Sequence, residues 1–135
     1  MRRSFALTGA GVVLVAGLAI RAVGGGSFAQ NSGTALYATL IYLGVFVLRP
    51  RTSPPMAGMV AIAFCWLVEA FQLTGIPAEL SERSLIARLV LGSHFDWADV
   101  GWYPVGVVPL VVAQLLRART AASADRGSRA ARRPG

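Results

Sequence analysis

Hydrophobic residues fall along this chain in blocks, and polar residues gather between the blocks. One block covers about residues 5–22, FALTGAGVVLVAGLAIRA, and a second about 31–48, NSGTALYATLIYLGVFVL. A third covers about 56–74 and a fourth about 100–116, VGWYPVGVVPLVVAQLL. Each approaches the roughly 17–25 residues that a helix needs to cross a bilayer. Backbone in lipid must satisfy its own hydrogen bonds, so each block is predicted to be a helix. None shows the two-residue alternation of a membrane barrel strand. The pattern therefore predicts an all-α, polytopic membrane protein with a four-transmembrane-helix bundle.

The connections differ in kind. RPRTSPP (49–55) reads as a tight, proline-rich turn, and Gly24, Gly25 and Gly26 as a flexible loop. Between the third and fourth blocks lies PAELSERSLIARLVLGSHFD (77–96). Leu80, Leu85, Ile86, Leu89 and Val90 alternate there with Glu79, Glu82, Arg83 and Arg88. That spacing predicts an amphipathic helix over about 79–91, stopped by Gly92. It is too short and too charged to span, so it is placed on the outer face, interfacial or re-entrant. Residues 1–116 form one transmembrane helical domain. Residues 117–135, rich in Ala, Ser, Arg and Gly, read as a disordered basic cytoplasmic tail.

Composition sharpens this picture. Hydrophobic residues make up 55% of the chain and charged ones only 14%, too few to solvate a globular surface of this size. All thirteen basic residues are Arg. Ten of them fall before span one, between spans two and three, or after span four, and only Arg21, Arg83 and Arg88 fall on the other side. The positive-inside rule then puts both termini in the cytoplasm of a plasma-membrane protein, as an even number of spans also requires. The net charge of +7 does not single out nucleic acid, because six Arg lie in the tail, where they suit anionic lipid. A rival reading of the first block is a cleavable signal peptide, since MRRSFAL precedes an apolar run and Ser27 and Ala29 suit a cleavage site. Cys65, the single cysteine, lies in an apolar run and reads as a small buried residue.

A few polar residues interrupt the spans. Glu69 and Gln72, three apart on span three, share a helical face. An ionisable residue at the centre of a membrane helix costs about 2.5–3.5 kcal/mol on insertion scales, so Glu69 must face the bundle. The topology brings Asp96, Asp99 and Tyr103 to the same depth, with Tyr37 from span two and Arg83, Arg88 and His94 from the outer loop. The expected contacts are Glu69 with Arg88, Arg83 or His94, and Gln72 with Asp99 or Tyr103. Asp99 also reads as a simple N-cap, and Trp97 and Trp102 as interface anchors. His94 lacks metal-ligand spacing, so no metal is assigned, and no cofactor. Gly9, Gly11, Gly17, Gly44 and Gly58 are expected to let helices approach closely. No nucleophile elbow, zinc-protease helix or phosphate loop is present.

LYATLIY (36–42), VEAFQL (68–73) and LVLGSHFDWADVGWYPVG (89–106) together resemble the family called domain of unknown function 2809, small bacterial integral membrane proteins. The likeness covers about residues 30–110. It places Glu69, Gln72, Phe95, Trp97, Asp99, Tyr103 and Gly106 on that family's motif positions. One departure is Gly33-Thr34, where the family usually carries an acid, which puts any role of that acid here in doubt. A looser similarity, to the VanZ-like family linked to glycopeptide resistance, implies an envelope-facing role. The leading expectation is a non-enzymatic protein whose outer-leaflet pocket binds an amphiphilic or lipid-linked ligand through Glu69, Gln72, Asp99, Tyr103, Arg88 and His94. Its partners are membrane lipids and not nucleic acid, with oligomeric state and partner subunits left open. The alternatives are an enzyme acting on a lipid-linked substrate with Glu69 as general base, and a structural subunit of a membrane complex.

Overall fold

A computed structural model describes residues 1–131 of the protein. Those residues fold into six helices and no strand: α1 (Arg3–Val23), α2 (Gly26–Leu48), α3 (Pro54–Gln72), α4 (Ile76–Arg83), α5 (Leu85–Leu91) and α6 (Trp97–Ala131). Four of them, α1, α2, α3 and α6, are long and apolar enough to cross a membrane. α2 packs against α1, α3 and α6, and α3 packs against α6. The core is thus an α2–α3–α6 triangle with α1 laid along α2. α4 and α5 pack on each other beside the end of α3 and make one end of the bundle a cap.

α3 shows how sequence becomes packing. Two prolines occupy its first turn, where the missing N–H is no loss. Its buried residues are Ala57, Gly58, Ala61, Cys65, Val68, Glu69 and Gln72, a stripe of three- and four-residue steps down one face. Most are small, which brings the backbones together. Without a hydrophobic force between helices in lipid, close van der Waals packing holds such a seam. A side chain at Gly58 would place its Cβ 2.8 Å from Val111 Cγ2 on α6. The tightest crossing lies at Gly106, where a Cβ would fall 2.0 Å from the Ala35 carbonyl oxygen of α2. Thr39 Oγ1 donates across the same crossing to the Gly106 carbonyl at 2.8 Å. Of the glycines expected to allow approach, Gly58 and Gly9 meet neighbours closely, whereas Gly11 and Gly44 face open space.

Three features differ from the sequence reading. The amphipathic segment 79–91 is two short helices rather than one. Ser84 takes an extended backbone, and its side chain accepts from Ala87 N–H, so it caps a new helix in mid-pattern. Gly92 then stops α5 with φ 67°, as a helix-ending glycine should. α2 begins at Gly26, so the chain from 26 to 30 is helical and only Gly24 and Gly25 link it to α1. α6 continues as helix past 116 to Ala131, because TAASAD and its neighbours are rich in alanine, the strongest helix former. Residues 132–135, the end of the expected tail, lie outside the described residues.

Candidate functional site

Glu69 lies one turn from the end of α3 and is 1% exposed. Its Oε1 accepts a short hydrogen bond from the Tyr103 hydroxyl of α6. Its Oε2 accepts from the backbone N–H of Asp96, 3.3 Å away, just ahead of α6. Asp96 is fixed in turn: its Oδ1 caps α6 by accepting from Ala98 N–H at 2.8 Å, and its Oδ2 accepts from Gln30 Nε2 at 2.9 Å. Asp99 Oδ1 accepts from Thr34 Oγ1 of α2 at 2.7 Å. These bonds link α2, α3 and α6 at one depth. The cap in α6 is therefore made by Asp96, and Asp99 instead binds sideways to α2.

Prolines explain another link. Pro104 lies inside α6 and has no N–H for the carbonyl four residues earlier, Val100. Trp66 on α3 supplies the missing donor, its Nε1 reaching that carbonyl at 3.1 Å.

The cap is tied down by its unsatisfied backbone. The last carbonyls of any helix lack intrahelical partners. Around the end of α5, Val90 accepts from Tyr37 Oη at 2.8 Å, Leu91 from Gln72 Nε2 at 2.7 Å, and Gly92 from Ser81 Oγ at 2.8 Å. One donor each from α2, α3 and α4 thus holds the end of α5 over the bundle.

The expected partners of Glu69 and Gln72 need correction. Among the described residues no cation contacts Glu69; a hydroxyl and an amide do. Arg83, Arg88 and His94 are exposed. Bringing a guanidinium down to Glu69 would strip its water, whereas two neutral donors satisfy the carboxyl at lower cost. Gln72 meets neither Asp99 nor Tyr103. Three residues further along α3 it sits about 4.5 Å nearer the cap, level with the end of α5. Its Oε1 is buried without a hydrogen-bond partner.

A cavity of about 750 Å³ opens beside this network. All six candidate residues line it: Glu69, Gln72, Arg88, His94, Asp99 and Tyr103. Its walls also include Leu14, Leu18, Leu36, Leu40 and Phe64, from α1, α2 and α3. Arg21, which served the sequence reading only as a topology marker, lines it too. Trp97 stands 78% exposed, stacked edge-on against Phe95 with ring centroids 5.0 Å apart. No three of the described His, Cys, Asp and Glu residues gather closely enough to hold a metal ion.

The family described as protein of unknown function DUF2809 matches residues 23–107. The chain belongs to that family. No solved structure matches it. The DUF2809 segment starts at the last residue of α1 and ends four residues beyond Tyr103. It contains every hydrogen bond of the site and all six candidate residues. Most of α1 and the last two thirds of α6 lie beyond it.

Proposed function

We propose that this DUF2809 protein is a multi-pass protein of a bacterial plasma membrane that binds an amphiphile in the cavity beside Glu69. The cavity carries the reading. It joins an apolar wall, Leu14, Leu18, Leu36, Leu40 and Phe64, to charged and polar side chains of Glu69, Asp99, Arg88 and His94. A molecule with an apolar tail and a polar head matches that division, and its size suits a cavity of this volume. The arginine distribution supports an orientation with the cap outside and both termini in the cytoplasm. In that orientation the cavity faces the outer leaflet.

Within this reading Glu69 is a positioning residue. A general base needs an oxygen open to a substrate proton. Both Glu69 oxygens already accept hydrogen bonds, and the side chain is 1% exposed. It holds Tyr103 and the Asp96 turn in place, and so shapes the cavity wall. Native mass spectrometry of the detergent-purified chain tests the proposal. A co-purifying lipid-sized adduct is expected, with its occupancy reduced at least tenfold in Glu69→Gln. With its oxygen toward the Tyr103 hydroxyl the substituted amide turns an NH₂ donor onto the Asp96 N–H; flipped, it forces the Tyr103 hydroxyl to accept instead of donate. Spectra of the folded wild-type protein free of adduct, in detergent supplemented with total membrane lipid, would overturn the proposal.

A further inference from the structure

The cavity is lined by acidic and by basic side chains and pairs neither. Glu69 and Asp99 line it, and among the described residues neither forms an ion pair. Arg21 and Arg88 line it as well, and among the described residues neither guanidinium has a hydrogen-bond or ion-pair partner. The two signs come from different elements, the carboxylates from α3 and α6, the guanidiniums from the last turn of α1 and from α5. A third observation points to a ligand donor. Gln72 is 9% exposed, lines the same cavity, and keeps its Oε1 without a donor. A buried acceptor left unmade is costly, and a donor from a bound molecule would satisfy it.

We infer that the head group held here is zwitterionic, with a primary ammonium toward Gln72 and Asp99 and a phosphate toward Arg21 and Arg88. The inference rests on the amphiphile reading above and specifies its head group. The ammonium must carry N–H to donate to Gln72 Oε1, which a primary ammonium head group does and a quaternary one does not. A guanidinium presents a planar fork of donors that suits phosphate oxygens. The source is a membrane glycerophospholipid. Leu14, Leu18 and Phe64 line the cavity and are 50%, 49% and 42% exposed, so the apolar wall continues onto the outer surface of the bundle, where acyl chains can run into the bilayer. Any other cation would meet the same carboxylates but leave the two arginines without an anion.

Competition among lipids tests this. The purified full chain is equilibrated with equimolar phosphatidylethanolamine, phosphatidylcholine and phosphatidylglycerol of matched chains, and bound lipid is counted by native mass spectrometry. The ethanolamine lipid is expected at least tenfold above the choline lipid, which lacks N–H donors, and above the glycerol lipid, which lacks the cation. Asp99→Asn is expected to lower bound ethanolamine lipid and to erase its preference over the glycerol lipid. Arg21→Gln combined with Arg88→Gln alters two exposed side chains that hold nothing in the fold, and is expected to lower bound ethanolamine lipid at least tenfold. Lipid retained with no head-group preference, or with the glycerol lipid preferred, overturns the inference and leaves the amphiphile reading standing. An unchanged double arginine variant overturns it equally. No retained lipid of any kind overturns both. The wild-type competition decides the matter even where Asp99→Asn fails to fold.

Discussion

The two ends of the bundle are held together by different means. Away from the cap, helices meet by shape. Gly58 on α3 faces Val107 and Val111 on α6, and Ala57 and Ala61 share one core cluster with them and with Tyr42 and Phe46 of α2. Side-chain hydrogen bonds between elements are sparse there. The Met1 ammonium donates to the Pro50 carbonyl and Arg3 to the Leu48 carbonyl, both at the surface. At the cap the helices meet through named donors and acceptors centred on Glu69, Asp96, Asp99 and the end of α5. The contrast follows from where the chain stops being helical. Mid-span backbone satisfies itself, so close packing does most of the joining there, aided by the Thr39 bond to the Gly106 carbonyl. Helix ends leave carbonyls and N–H groups open, and polar side chains at that depth close them.

Four substitutions probe the two ends separately, each read by reversible unfolding of the detergent-purified protein in sodium dodecyl sulfate. Gly106→Ala should have the largest effect, because its Cβ meets backbone rather than a movable side chain and forces α2 from α6. The expected loss is about 3 kcal/mol, the upper end for overpacking. Glu69→Ala should follow, at about 1–3 kcal/mol, because it strands the buried Tyr103 hydroxyl and the Asp96 N–H. Trp66→Phe keeps an aromatic ring, though a smaller one, and removes the donor to Val100, so circular dichroism should report a loss of at least about 0.6 kcal/mol, the usual worth of one interhelical hydrogen bond in a membrane protein. Tyr42→Phe is the smallest and has the opposite sign. The Tyr42 hydroxyl is buried in the shape-packed region without a partner, so its removal should leave stability unchanged or raise it by up to about 1 kcal/mol.

Much of the architecture was legible because lipid imposes a coarse rule. A span must be apolar for about twenty residues, and such runs are visible without any alignment. Finer features depended on local competition. The apolar periodicity of residues 79–91 runs straight through Ser84, but a serine that caps the following turn outweighs it. For the candidate site, depth was legible and direction around the helix axis was not. Counting residues from the span ends put Glu69, Gln72, Asp99 and Tyr103 at one level, and they share one cavity. Opposite charge then pointed to Arg83, Arg88 and His94 as partners for Glu69, and desolvation decided against them. The Trp66 bond carried a readable signal in Pro104, which orphans the Val100 carbonyl. Thr34 was marked only by the resemblance, as part of a departure, and Gln30 carried no signal, since polar residues near a span end also suit bare solvent.

Tyr103 and the turn ahead of α6 compensate Glu69 inside the bundle. A double-mutant cycle with Glu69→Ala and Tyr103→Phe measures that compensation. A coupling of about 1 kcal/mol or more is expected, because each change removes the same hydrogen bond. Effects that add to within about 0.3 kcal/mol would show two independent groups and contradict the claim.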